Sequence, residues 1–477
     1  MVGIADVTQL PPGSPTPPQN RTPNHARWGT PANWVPMPPT GYGMSRKKRN
    51  KAPLIITIVV LLVLAVTGVT LKLTGVFGLG NNAPESSGVS SSGEAKELWS
   101  ASAIDATGDT SGGWVVNDHV VAYVAENGVI GYDLATGKQL WQVSPPAGQQ
   151  ICELSPTADN GIGAIGLGVD SGHCDTAAAV DLAAGKLLWS AKLTLPDYFA
   201  GHERVLGGLS VAKGMVVVQD IETIFGYGAR DGQRKWAAPR LTGDPDTVFD
   251  DCDSQYVLAQ GEQTAQVLDC DRDGVKVATY DTVSGAMNWI SQKVNRTSGA
   301  WWLLSVDPLV VVDATRGIYY VPGPNADPVG VLTTAEMQFP SSDYYYGSAA
   351  FDGTTMCTVD SKNQEVFGPN AQAELMLTCY DLTTGKTRWT HDFEAGAHAR
   401  MIGMSDGKVW IDYTPPGADD DNQLLPFSPA DGAVAPGPIF NADPIYGSHP
   451  LTMQFAPGNK IVRFGSPDEP VIVWSRG

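Results

Sequence analysis

The residues best placed by type and spacing to do chemistry are Asp269, Asp271 and Asp273, in the run Asp269-Cys270-Asp271-Arg272-Asp273-Gly274. Alternate aspartates turn three carboxylates toward one centre, and the glycine permits the tight turn that wraps a hard cation, as in calcium loops. The glutamate that completes an EF-hand loop is absent, since Tyr280 holds its position, and no helical pattern precedes the run. A strand ending in a polar turn accounts for the same residues. They stand as a calcium candidate, while no metal or other cofactor is expected. Asp419-Asp420-Asp421 and the group Asp244, Asp246, Asp250, Asp251 and Asp253 read as solvated loops. The seven histidines are scattered, without the i, i+4 pairs or Cys-x-x-Cys company of a zinc site, and His173 beside Cys174 reads as a loop residue. There is no phosphate-binding glycine loop. No catalytic residue is assigned, although paired carboxylates drawn from distant segments would leave no sequence signature.

The elements that would position any site announce themselves by repetition. GYDLATGKQLW ends at Trp141, AVDLAAGKLLW at Trp189, GYGARDGQRKW at Trp236, TYDTVSGAMNW at Trp289 and CYDLTTGKTRW at Trp389. Glycine stands four residues before the tryptophan in all five, and aspartate eight before it in four, Gly228 being the exception. Alternating apolar residues enter and leave this turn, as two antiparallel strands do. Aspartate bonds the backbone two residues on, glycine supplies a positive φ, and a flat ring repeated once per unit packs one four-stranded sheet on the next. Trp141, Trp189, Trp236, Trp289 and Trp389 are therefore assigned to blade packing.

From Trp99 the intervals between successive motif tryptophans are 42, 48, 47, 53 and 100 residues. The last is twice a blade, which places a degenerate copy around Tyr319 to Leu332; FSPADGAVAP, with Asp431-Gly432, is another. Glu97-Leu98-Trp99-Ser100 resembles the last strand of a unit, and Leu451 to Trp474 offers three strands without a closing one, so pairing the two closes the ring. The expectation is an all-β propeller of about eight four-stranded blades, with seven as the alternative, over residues 95–477.

The motif Asp-x-x-x-Gly-x-x-x-Trp resembles the pyrroloquinoline-quinone-like (PQQ-like) repeat of bacterial propellers, within the quinoprotein-like superfamily that also resembles WD40 rings. That family includes quinone-dependent alcohol dehydrogenases, a lipoprotein scaffold of outer-membrane barrel assembly, and sensor domains. The dehydrogenases carry a vicinal disulfide over the quinone and a calcium at the ring centre. No two cysteines are adjacent here. The resemblance therefore implies the scaffold without the quinone site, and PQQ is not expected to bind.

The six cysteines fall as Cys152 and Cys174, Cys252 and Cys270, and Cys357 and Cys379, each pair upstream of Trp189, Trp289 or Trp389. Fifteen connectivities are formally open, but pairing within blades, between neighbouring strands, keeps partners in reach. Three disulfides imply an oxidising compartment. Leu54 to Leu71 is free of charge and follows Pro53, and extended through Val76, Phe77 and Leu79 it is long enough to span a membrane. Arg46-Lys47-Lys48-Arg49-Asn50-Lys51 precedes it, so the positive-inside rule leaves the N-terminus cytoplasmic and the propeller outside. A cleaved signal peptide would need a charged region some fifty residues long.

The organisation expected is a disordered proline-rich cytoplasmic tail with a basic cluster (1–52), a transmembrane helix (53–79), a flexible linker (80–94) and the propeller. Trp28, Trp34 and Tyr42 punctuate the tail, and Asn295-Arg296-Thr297 has the form of a glycosylation acceptor. The net charge is −19, of which residues 1–53 carry +6, leaving −25 on the remainder. So acidic an exterior excludes nucleic acid as the main partner. The sum is a single-pass bacterial envelope protein whose propeller serves as a binding scaffold for a protein or peptide partner. A divergent quinoprotein oxidoreductase or hydrolase is one alternative, and an extracellular sensor another.

Overall fold

A computed structural model of the chain describes residues 95–476 apart from 102–110, 118–119, 126, 171–172, 194–205, 221–222, 239–251, 271–273, 292–293, 295–300, 314–317, 333–348, 362–373, 418–420, 442–452 and 466–470. The tail, the apolar segment 53–79 and the linker lie outside the described residues, as do Asp271 and Asp273 of the calcium candidate. Among the described residues no helix is long and apolar enough to cross a membrane.

The first strand, β1 (Lys96–Ala101), belongs to the last blade. Blade 1 is β2 to β5 (Ser111–Val115, Val120–Ala125, Gly128–Asp133, Gln139–Val143), and blade 2 is β6 to β9 (Gln150–Leu154, Ile162–Gly168, Cys174–Asp181, Lys186–Lys192). Blade 3 is β10 to β13 (Gly208–Ala212, Met215–Gln219, Ile224–Gly228, Arg234–Ala237), and blade 4 is β14 to β17 (Cys252–Gln260, Gln263–Cys270, Gly274–Asp281, Met287–Ile290). Blade 5 is β18 to β21 (Trp301–Val306, Leu309–Asp313, Ile318–Tyr320, Val329–Leu332), and blade 6 is β22 to β25 (Ala349–Asp352, Thr355–Ser361, Leu375–Asp381, Lys386–Asp392). Blade 7 is β26 to β29 (His398–Ser405, Lys408–Thr414, Asp421–Phe427, Ile439–Asn441), and β30 to β32 (Met453–Ala456, Lys460–Arg463, Val471–Ser475) begin blade 8.

Every blade is an antiparallel meander, and the eight sheets are separate. β1 completes blade 8 by pairing with β32, Lys96 opposite Ser475 and Ala101 opposite Val471. Eight blades rather than seven result, because the weak copies are true hairpins: β20 pairs β21 in blade 5, and Asp431-Gly432 turns between β28 and β29 in blade 7. First strands approach one another across blades (β6 and β10, β10 and β14, β14 and β18, β22 and β26, β26 and β30, β30 and β2), so they line the ring's interior and the fourth strands form its rim.

The core lies between blades, since each sheet has two faces to bury and only other blades to bury them on. Val121, Tyr123 and Phe464 meet between blades 8 and 1, and Val217, Leu268 and Tyr280 between blades 3 and 4. The smallest of these clusters, with Ala95, Leu424, Ile461 and Trp474 fully buried, joins blades 7 and 8.

All six cysteines are in disulfides. Cys252 faces Cys270 on β14 and β15, and Cys357 faces Cys379 on β23 and β24, neighbouring strands as expected. The third bond departs from that expectation: Cys152 on β6 joins Cys174 on β8, strands separated by β7. A bulge between Ile151 and Glu153, together with glycines on the strand between, makes the bridge fit. A Cβ on Gly166 would lie 2.8 Å from Cys174 Sγ.

Candidate functional site

The repeat motif builds a rigid ring in the same way at most of its joints. Asp133 Oδ1 accepts bonds from the Ala135 and Thr136 amides and the Thr136 hydroxyl, and Asp181, Asp281 and Asp381 cap their turns likewise. Hydroxyl bonds from Ser284 and Thr383 hold the Asp281 and Asp381 carboxyls below the usual carboxylate range. A bulge follows in the third-to-fourth strand pairing, and beyond it the tryptophan stands opposite a small residue: Gly131, Ala179, Gly226, Thr279 or Cys379. The indole then reaches into the next blade and lies on that blade's turn glycine. Trp99 covers Gly137, Trp141 covers Gly185, Trp189 covers Gly232, Trp236 covers Gly285 and Trp389 covers Gly432. Trp99, Trp189, Trp236 and Trp389 also donate their Nε1 hydrogen to a backbone carbonyl of that turn, at Leu134, Ala229, Thr282 and Pro429. Trp289 meets no such turn, because blade 5 lacks the motif; it packs against the apolar cluster between blades 4 and 5, as Tyr319 does. Glycine is thus needed twice over at these turns, for a φ near +65° and for the space the neighbouring ring takes.

Inside the ring, side chains tie first strands together. Gln454 of β30 donates to Gly113 O and accepts from Val115 N, and Ser210 of β10 exchanges both bonds with Ala259 of β14. Titratable groups with altered behaviour are few. Asp412 on β27 is buried opposite Arg400, and burial pushes its carboxyl up to about 6 against the pull of Arg400 and Arg463. His391 is half-buried beside Phe393 and Phe427, and burial lowers its pKa. His173, the loop residue of the sequence reading, bonds Asp170 through Nδ1 at 2.7 Å on an exposed turn. No acid and base converge on a nucleophile among these groups.

Asp269 sits near the end of β15, opposite Asp253 and Val275. No group of three His, Cys, Asp or Glu residues able to hold a metal occurs among the described residues. Every cysteine is bonded to a partner 18 or 22 residues away, so the vicinal disulfide of the quinone-dependent dehydrogenases is not formed here.

What the ring offers is two unlike faces. In an antiparallel meander the first-to-second and third-to-fourth turns share one face, and the second-to-third and fourth-to-first connections share the other. First-to-second turns shrink to 213–214, 261–262, 307–308, 353–354 and 406–407, and motif turns such as 182–185 and 282–286 are also short. On the opposite face lie the strand ends Lys192 and Gly208, Ala237 and Cys252, Ile290 and Trp301, Leu332 and Ala349, Ser361 and Leu375, and Asn441 and Met453, each pair separated by 10 to 16 residues of sequence. β1, as a fourth strand, begins at Lys96 on the short-turn face, where β32 ends at Ser475.

An eight-bladed antiparallel propeller with tryptophan-on-glycine joints is the class defined by this geometry. Residues 88–321 match the family model PQQ_2, described as outer membrane protein assembly factor BamB. The matched residues resemble the PQQ-like repeat, as the motif implied, and the fold is an eight-bladed β-propeller. No curated protein matches it in sequence. The quinohemoprotein alcohol dehydrogenase ADHIIG from Pseudomonas putida HK5 superposes with a TM-score of 0.51 at 11% identity, over 81% of this chain and 76% of that one. BamB from Moraxella catarrhalis gives 0.46 at 15% identity over 80% and 97%. The quinohemoprotein alcohol dehydrogenase from Comamonas testosteroni gives 0.48 at 14% over 80% and 76%.

The sequence reading placed the motif tryptophans but missed what they cover. The signal was in the copies themselves, since the residue two before the aspartate position is always small and the motif glycine invariant among them. Asp412 with Arg400 and Arg463 had no such signal, because they lie outside the repeat.

Proposed function

We propose that this chain is a membrane-anchored propeller of the cell envelope that binds a protein or peptide partner through the face carrying the long connections. The observation that carries the reading is the asymmetry of the two faces on a ring held rigid by repeated joints, since variable loops on a rigid frame are where binding is built. The match to a family described as an outer membrane protein assembly factor supports a protein partner. Three disulfides support an oxidising compartment. The proposed order is tail 1–52, membrane helix 53–79, linker 80–94 and propeller 95–477, with the tail cytoplasmic.

Site-specific photo-cross-linkers test this. Ala147, Val169 and Ala395 are exposed on the long-connection face, and Ala135, Val283 and Thr383 on the short-turn face. In cells producing the full chain, adducts to an envelope protein are expected from the first set and not the second. Adducts confined to the second set, or absent from both, overturn the proposal.

A further inference from the structure

Five of the eight joints use a tryptophan lying on the next blade's turn glycine, and the joint between blades 7 and 8 does not. No tryptophan occurs between Trp410 and Trp474, so β29 has none to offer, and among the described residues the apolar cluster there is the smallest. Yet this joint borders blade 8, the blade assembled from two distant parts of the chain. Something else must resist its opening.

Arg476, the residue after β32, fills that place. Its guanidinium lies 4.9 Å from the ring centroid of Trp410 on β27 and 4.9 Å from that of Phe455 on β30. The two rings are themselves in contact at 5.8 Å, and the Trp410 Nε1 hydrogen is donated to Ser405 O, which fixes the indole. Arg476 Nη2 bonds Asp406 Oδ2 at 3.1 Å, and the backbone amide of Arg476 donates to Asn459 O. The side chain is only 8% exposed, whereas Asp406 is 70% exposed. A planar, weakly hydrated guanidinium is better suited to lie against aromatic faces than a strongly hydrated lysine ammonium. The salt bridge to so exposed a carboxylate contributes little. The contact of the cation with the two ring faces is therefore the holding interaction.

We propose that Arg476 is the latch of the ring, a guanidinium held over two aromatic rings that ties blade 8 to blade 7 in place of the tryptophan joint used at five others. It touches blade 7 through Trp410 and Asp406 and blade 8 through Phe455 and its own strand, so its loss frees both sides of one joint and no other.

Amide hydrogen exchange read by peptide mass spectrometry on the full chain distinguishes this from a general contribution to stability. R476A should speed exchange about tenfold, equivalent to 1.4 kcal/mol, in β27 and β30 to β32, and leave β10 to β12 of blade 3 unchanged. R476K keeps a cation for Asp406 but loses the planar guanidinium over the two rings, and it should recover less than half of that effect. D406N should change exchange less than twofold. Uniform acceleration across blades, no acceleration, or full recovery by lysine overturns the latch. Should R476A not accumulate as folded protein, the comparison of R476K with D406N decides: faster exchange confined to the joint in R476K alone supports the ring contact, and equal effects refute it.

Discussion

Gly137→Ala isolates the joint between blades 8 and 1 from the backbone cost of any turn glycine. Gly137 has φ +70°, and a Cβ there would lie 2.6 Å from Trp99 Cδ2 and 2.7 Å from Cγ. Gly214 has the same φ of +70° and open space around it. Both substitutions carry the left-handed strain of a residue with a side chain, roughly 1 kcal/mol. G137A must also push the buried indole out, losing its bond to Leu134 O at 3.0 Å, about 1 kcal/mol, and part of its packing, about 1–2 kcal/mol. The totals are about 3–4 kcal/mol against about 1 kcal/mol. At roughly 2 °C per kcal/mol for a chain of this size or larger, G137A should lower Tm by about 6–8 °C and G214A by about 2 °C. Differential scanning calorimetry on the full chain under one set of conditions reads both. In a Trp99→Ala background the extra loss from G137A should vanish, because the ring it displaces is gone. Equal losses for the two glycines in the native background would refute the joint as described.

Other outcomes follow from the same geometry. Asp412 has a folded pKa of about 6, above its ordinary value of 3.8, so its contribution favours the fold at low pH and is lost as pH rises through about 6. Asp412→Asn should therefore flatten the dependence of Tm on pH between 4 and 6, read by thermal scans in a buffer series; an unchanged slope would place the dependence elsewhere. Removing the Cys357–Cys379 bond by paired serine substitution releases a loop with a sequence separation of 22, and by loop entropy should cost about 3 kcal/mol. Urea midpoints measure that loss, and intact mass of the native chain after alkylation should show no free thiol before reduction and six after. Isothermal calorimetry of the full chain with PQQ and calcium should give no stoichiometric heat. One equivalent bound would make the oxidoreductase the better reading.

Much of the ring was legible because its joints repeat. The aspartate, glycine and tryptophan of each copy act locally, within one hairpin and against the next copy, so their spacing survives in the sequence. Blade 5 was located between Trp289 and Trp389 by an interval alone, and blade 8 by the fit of Trp99 to the strands before Trp474. The calcium candidate shows the limit of this reasoning. Asp269 belongs to a strand pairing with Val275, and nothing in its spacing says what Asp271 and Asp273 approach.

Residue order alone determined the class of fold, the two-strand unit, the cysteine partners and the acidic exterior, since each depends on neighbours in sequence or on total composition. Tertiary structure decided what depends on packing between blades. It routed Cys152 to the third strand of its blade rather than the second, because a bulge and Gly166 clear the path. It laid each tryptophan on the glycine of the following copy, set Asp412 beside two arginines, and brought Arg476 between Trp410 and Phe455. Those residues lie far apart along the chain or outside the repeat, and only closure of the ring makes them neighbours.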